Sequence, residues 1–475
     1  MSVIESSKQR HVAVLAFPFG GHVEPLLNLV CRLASSTSPD MCFSFLNSER
    51  SNNVLFSEKS ESNIPSNLKH YNVSDGVPKN HVLKGHPMEV VDLFLKATPA
   101  NYKIGIEKAV AETGKKVTCL ITDAFLVFAG EMAQNWGVPW IPLWIPMPCN
   151  LSAHIYTDLI RGELFPNYVG LESDNQIGND DDCLHEDNTL EIVPGLSAMH
   201  IADLPEEVVP CDSLLSQMLS QMGRVLHQMT ALVLNSYQEI NPTLLNNDLK
   251  SKVPKLLNVG FLTASLPAVP MVAPSSSDAT GCLSWLDEQP ASSVAYICFG
   301  TIGAPSPNEM IALAEALEVS GVSFLWSLKD NFKDLLPSGF VEKITYKHGK
   351  LVPWAPQAQV LAHTAIGMFI THSGTNSVYE SVANGVPMIC RPLFGDQRMN
   401  GRMVDDVWGI GVKIEGGILT KSGVLKSLEL VLGSEQGKKM REKARALKEI
   451  IAEAAGPLGS AVQDFTTLVD IISLH

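Results

Sequence analysis

The chain has 475 residues, 45% apolar and 18% charged, enough for two globular domains and too apolar for a disordered polymer. Its formal net charge of −15 argues against nucleic acid or an anionic membrane surface as a partner. Scattered cysteines without a CxxC pair, a polar start at residues 1–10 and no apolar run of membrane-spanning length point to reduced thiols in a cytoplasmic protein, not to a disulfide frame or zinc site.

Residues 12–17 form an unbroken apolar run of strand length, followed by the loop Pro18-Phe19-Gly20-Gly21-His22. Pro25 suits a first helical turn, and Leu26, Leu27, Leu29, Val30 and Leu33 share one helical face. His22 therefore sits between the carboxyl end of a strand and a helix, where open α/β sheets bind ligands, although a solvent-exposed loop histidine is the plainer reading. Further strands are predicted at 41–45 and 117–121. The second leads into Thr122-Asp123-Ala124-Phe125 and a helical stretch over 127–136, and spacing alone makes Asp123 an N-cap. Residues 138–146 read as strand and turn, with His154 on a helix running to Arg161. The acidic Asp180-Asp181-Asp182 reads as a solvated loop, since no regular element scaffolds it as a metal site. Residues 232–236 are expected to close the first sheet, and 266–280, rich in Pro, Ala and Ser, to link two domains. Beyond the linker the alternation restarts: a strand over 294–299, the Gly300-Thr301 turn, a helix over 307–319 and a strand over 323–326. The predicted domains are 1–250 and 251–455, with helices at about 437–454 and 461–474.

The stretch 354–397 carries the most chemistry. Residues 366–371 are nearly all apolar and of strand length, as expected of a buried parallel strand. His372-Ser373-Gly374 then makes a tight turn, Asn376 or Ser377 suits an N-cap, and 377–384 reads as a short helix closed by Gly385. Strand, small-residue turn and helix N-terminus together make an anion site, because free N–H groups and the helix dipole point at the loop. Glu380 stands one turn inside, where its carboxylate can accept from two vicinal hydroxyls, and Trp354 offers a flat face for a base. A base, a diol and a pyrophosphate describe a nucleotide-sugar.

This segment closely resembles the plant secondary-product glycosyltransferase box of the family 1 UDP-dependent glycosyltransferases. It matches at Trp354, Gln357, His372, Gly374, Asn376, Ser377, Glu380, Asp396 and Gln397, and departs where the family usually has a second Trp and this chain has Thr375. Residues 16–19, 71–73, 75–76 and 156–161 resemble the flavonoid 3-O-glycosyltransferase branch. The resemblance implies an α/β fold of two Rossmann-like lobes facing across a cleft (GT-B architecture), with 456–475 packing back on the first lobe. It implies His22 as the catalytic base, held by Asp123, and a direct attack that inverts the anomeric centre. Donor binding falls to Thr301, Trp354, Ala355, Gln357, His372, Gly374, Thr375, Asn376, Ser377, Glu380, Asp396, Gln397 and Ile145. Acceptor binding falls to Phe19, Gly20, Trp144 and His154, and residues 194–205 would form an acceptor-facing loop. The implied co-substrates are a UDP-sugar and a flavonoid, attacked through the 3-hydroxyl of a flavonol or anthocyanidin; no cofactor, metal, nucleic acid or membrane is expected, and the protein would be a monomer.

The sugar is open to two readings. Gln397 usually accompanies glucose in the family. Ile145 stands where glucose-using members often carry Thr; it cannot hydrogen-bond a 6-hydroxyl, and a 6-deoxy sugar would lose nothing there. UDP-glucose and UDP-rhamnose are thus both expected donors. A nucleotide-sugar-binding protein without catalysis is the rival class, countered by the presence of both His22 and Asp123. A nicotinamide-dependent oxidoreductase fails for want of a GxGxxG turn after the first strand.

Overall fold

A computed structural model of the protein describes residues 10–58, 64–79, 81–82, 88–166, 188–264, 278–344 and 348–474. Asp180, Asp181 and Asp182, and most of the expected linker, lie outside the described residues. The first sheet contains β1 (His11–Leu15), β2 (Cys42–Ser48), β3 (Leu68–Val73), β4 (Cys119–Asp123), β5 (Trp140–Trp144), β6 (Leu232–Leu234) and β7 (Leu256–Asn258). The second contains β8 (Val294–Cys298), β9 (Ser323–Ser327), β10 (Gly349–Val352), β11 (Ile366–Thr371), β12 (Met388–Cys390) and β13 (Gly411–Lys413). Strand orders are β3-β2-β1-β4-β5-β6-β7 and β10-β9-β8-β11-β12-β13, with parallel pairing throughout.

The unbroken apolar runs have a direct cause. In β1, Val12 and Val14 face one apolar cluster with Leu26, Leu29 and Leu33 of the helix Val23–Ser36, while Ala13 and Leu15 face the other. Both faces are covered, so alternation with polar residues is absent. In β11, Met368 and Ile370 turn to one side and Phe369 to the other.

Two expectations are corrected. The first sheet does not end at β6, because β7 pairs with it at Leu232↔Leu256 and Leu234↔Asn258. The boundary at 250 consequently falls inside the helix Thr243–Lys252 and ahead of a strand of the first lobe. The final helix, Ser460–Leu474, buries Leu468, Ile471 and Ile472 in the first lobe's cluster, and its Asp464 carboxylate accepts from the Asn258 backbone N–H at 2.7 Å.

In each sheet the order reverses once, between β1 and β4 and between β8 and β11, and ligands of open α/β sheets bind outside the carboxyl ends of strands at such points. The lobes meet through apolar and polar contacts. Phe261 stacks on Tyr379 with centroids 4.0 Å apart, Trp408 Nε1 donates to the Ile240 carbonyl at 2.8 Å, and buried Asp203 takes Arg402 at 2.7 Å and Lys413 at 3.2 Å.

Candidate active site

At the first reversal, His22 follows β1 and Asp123 ends β4. Their side chains meet: His22 Nδ1 lies 2.8 Å from Asp123 Oδ2, with the imidazole 16% and the carboxylate 1% exposed. Asp123 Oδ1 accepts from the Phe125 amide at 2.9 Å, an Asx turn that fixes the carboxylate. Asp123 does not cap the following helix, which begins only at Ala129. With Nδ1–H donated to Asp123, the imidazole lone pair lies on Nε2, free to take a proton. Phe125 and Phe17 pack on the imidazole at 4.5 and 5.4 Å between centroids, and Phe19 adjoins Phe17 at 5.1 Å.

The second reversal supplies a cradle. Gly374 is the N-cap of the helix Thr375–Asn384, two residues before Asn376 and three before Ser377. A glycine cap makes no side-chain hydrogen bond, so the first-turn N–H groups stay available to an anion. Ser373 is held at φ 67, a left-handed conformation that a non-glycine residue keeps only under constraint. The His372 ring is gripped between glycines: a Cβ on Gly300, itself at φ +79, would lie 2.8 Å from it, and one on Gly374 2.5 Å. Burial pushes the His372 imidazole down to about 4, with the Cys298 backbone only partly opposing. His372 is accordingly neutral near pH 7 and offers a phosphate an N–H, not a charge.

Glu380 is buried, and burial raises its carboxyl to about 7 against the Gln357 hydrogen bond that lowers it. Gln357 Nε2 donates to Glu380 Oε2 at 3.0 Å and to Ser377 Oγ at 2.9 Å, tying three of the expected donor residues together. Trp354 leaves 57% of its surface open, while Ala355 is buried beside it. Thr301 lies exposed on the loop after β8, where Lys329 Nζ donates to its carbonyl at 2.7 Å. Gln397 spends its Oε1 on the Leu393 and Phe394 amides, at 2.8 and 3.2 Å, leaving Nε2 to donate. Thr375 Oγ1 donates to Asp396 Oδ2 at 2.7 Å.

The two halves face each other. Asn376 Nδ2, at the helix N-terminus of the second lobe, donates to the Gly21 carbonyl at 2.9 Å, one residue from His22. A Cβ on Gly21 would stand 2.7 Å from that nitrogen, so the approach depends on glycine. The imidazole is also close enough to Asp396 to draw its ionisation downward against burial.

Several expected site residues lie elsewhere. Ile145 is 3% exposed and belongs to the apolar cluster beneath β1 and β4, because its position one residue past β5 turns it into the core. Trp144 is wholly buried, with Nε1 donating to the Met147 carbonyl, and packs between Phe125 and His154 at 5.5 Å from each. Trp140, whose aromatic ring also suits a flat polyphenol, is core too, donating to Thr122 Oγ1 at 3.0 Å. His154 is buried with Nδ1 unpartnered, and burial holds it down to about 3. Phe19 and exposed Gly20 remain at the rim. Sequence reasoning missed Asn150 and Asn400, whose amides meet at 2.9 Å across 250 positions; no spacing signal could pair them. Among the described residues no cluster of three or more His, Cys, Asp or Glu could hold a metal ion, and no helix is long and apolar enough to cross a membrane.

Residues 204–455 match the family described as UDP-glucuronosyl and UDP-glucosyl transferase. A flavonol 3-O-glucosyltransferase of Actinidia chinensis var. chinensis is 48% identical over 98% of this chain and 98% of its own. An anthocyanidin 3-O-galactosyltransferase of the same plant is 44% identical over the full length of both chains. The crystal structure of a UDP-glucose:anthocyanidin 3-O-glucosyltransferase with UDP superposes with a TM-score of 0.89 at 44% identity, covering 98% of this chain and 99% of that one.

Proposed function

The chain belongs to the UDP-glucuronosyl and UDP-glucosyl transferase family, and from that premise we propose that it moves a hexose from a UDP-sugar to the 3-hydroxyl of a flavonol or anthocyanidin with inversion. The observation that carries the reading is the His22–Asp123 pair joined, through Gly21 and Asn376, to the helix N-terminus of the second lobe. His22 Nε2 takes the acceptor proton as the acceptor oxygen attacks the anomeric carbon. Asp123 holds the tautomer and stabilises the imidazolium that forms. Charge developing on the departing pyrophosphate meets the N–H groups of the Thr375–Asn384 helix and neutral His372. Uracil stacks on Trp354, the ribose diol donates to Glu380, and the sugar hydroxyls meet Asp396 and Gln397. Phe17, Phe19 and Phe125 form the aromatic surface beside His22 on which a flat acceptor rests. Fixing both reactants in line supplies much of the acceleration. The site works as a monomer in the cytoplasm and without a metal.

The donor we propose is UDP-glucose, in keeping with Gln397 and the glucosyltransferase relatives. UDP-rhamnose loses the support expected of Ile145, which is turned into the core and faces no 6-hydroxyl, and stays only as a comparison donor. Purified protein assayed with a flavonol and UDP-glucose, UDP-galactose, UDP-rhamnose and a pentose donor separates these. The expected result is a flavonol 3-O-glucoside, lost in His22→Ala; absence of transfer from every donor would sink the reading.

A further inference from the structure

We propose that Asn150 and Asn400 are positioning residues for the donor sugar, an amide pair that spans the two lobes and holds the Asp396 carboxylate in the orientation that recognises the hexose. The inference rests on the reading of Asp396 as a sugar-binding group.

Asn150 stands on the first lobe's helix Pro148–Ile155, and Asn400 on the second lobe's helix Gln397–Arg402, one turn beyond the N-cap Asp396. Both are essentially sealed from solvent, at 1% and 0% exposure. Asn150 Nδ2 donates to Asn400 Oδ1 at 2.9 Å. Asn400 Nδ2 then faces Asp396 Oδ2 at 2.8 Å, the Ser373 carbonyl at 3.0 Å and Thr375 Oγ1 at 3.1 Å. Two amide hydrogens are shared among three oxygens. The Thr375 hydroxyl proton is committed to Asp396 Oδ2 at 2.7 Å, so its oxygen can only accept.

This wiring has one direction. Flipping the Asn400 amide would set its carbonyl oxygen against a carboxylate and a backbone carbonyl. Its Oδ1 is therefore fixed toward Asn150, which must present its NH2 group, and Asn150 Oδ1 is left buried without a partner. Leaving a buried acceptor without a donor is destabilising, so the arrangement stands at the expense of one unsatisfied group. The return is geometric. Asp396 Oδ2 receives two side-chain donors, which leaves Oδ1 as the oxygen to accept from a sugar hydroxyl. Burial raises the Asp396 carboxyl above its ordinary range, and the Thr375 and Asn400 donors work against that rise. Because Asn150 belongs to the other lobe, the chain of bonds is complete only when the lobes touch. Sugar recognition is thereby tied to closure by residues that need not contact the sugar.

The test uses the full chain with Asn150→Ala, Asn150→Ser, Thr375→Val and Thr375→Ser. Each is measured for kcat and KM with UDP-glucose and UDP-galactose at saturating flavonol, for the dissociation constant of UDP alone, and for Tm. Asn150→Ala and Thr375→Val should lower kcat/KM for the preferred hexose by about tenfold and move the two-sugar ratio toward unity, with UDP affinity within about twofold of the parent. The Ser variants, which keep a donor, should recover part of the ratio. An unchanged sugar ratio in Asn150→Ala overturns the proposal. So does a loss of UDP affinity equal to the loss in kcat/KM, since that marks a merely structural role. Should Asn150→Ala fail to fold, Asn150→Ser and the Thr375 pair decide on the same readouts. A parent protein that turns over no UDP-hexose instead removes the functional reading beneath the proposal.

Discussion

Glu380 should make donor binding depend on pH. Its carboxyl is raised to about 7 by burial, so the ligand-free protein near neutrality holds a proton that an unfolded chain has lost. That contribution to stability is complete below the unfolded value, about 4.3, and is lost as pH climbs through about 7. Donor binding runs the other way. A vicinal diol donates two hydrogen bonds and requires the acceptor-only carboxylate, which the Gln357 Nε2 donor at 3.0 Å also favours. The ionised fraction is about one tenth at pH 6 and about nine tenths at pH 8, so the apparent dissociation constant should fall about tenfold across that window. Calorimetric titration of UDP-glucose without acceptor is the assay of choice: its pyrophosphate diester does not titrate there and no turnover involves His22. Glu207, also raised to about 7 by burial, is a second titrating carboxyl in the first lobe, and Glu380→Gln separates the two. In that variant binding should weaken and its pH dependence flatten. A parent profile flat from pH 6 to 8, or a sloping one unchanged in Glu380→Gln, would refute the reasoning.

Asp123→Asn should lower kcat by about a hundredfold or more, with little change in UDP affinity, because the amide no longer fixes the imidazole tautomer or stabilises its charged form; steady-state kinetics beside UDP titration checks this. Gly21→Ala should push the Asn376 amide off the Gly21 carbonyl, since the new methyl would stand 2.7 Å from Nδ2. A displacement of that size beside the base should cost about tenfold to a hundredfold in kcat while Tm stays within about 2 °C. Exhaustive chelation should leave the rate within about twofold of the untreated enzyme, as expected if His372 and the helix N-terminus carry the leaving-group charge unaided.

Much of the second lobe's cradle was legible because its signal is local. A six-residue apolar strand, a turn of small residues and a Gly-closed helix occur in sequence at residues 366–385, and each has one cheap conformation. Edge strands were not legible. β3 carries exposed Lys69 and His70, β10 begins Gly349-Lys350, and β7 has three residues, so none shows a long apolar run. Side-chain direction was also hidden. Trp140 and Trp144 look suited to a flat acceptor and Ile145 to the donor sugar, yet all are covered by core, which only tertiary packing decides. The Asn150–Asn400 contact lies beyond any pattern, since it joins helices of different lobes.

The closing helix Ser460–Leu474 changes the mechanics of the whole molecule. With its apolar side against β7 and Phe465 beneath the Arg32 guanidinium at 4.4 Å, the polypeptide commutes between lobes twice, outward after β7 and homeward near residue 456. Two covalent crossings leave the lobes less freedom to drift apart or rotate than one crossing would, so each reopening for product exit returns the two rims toward the same register.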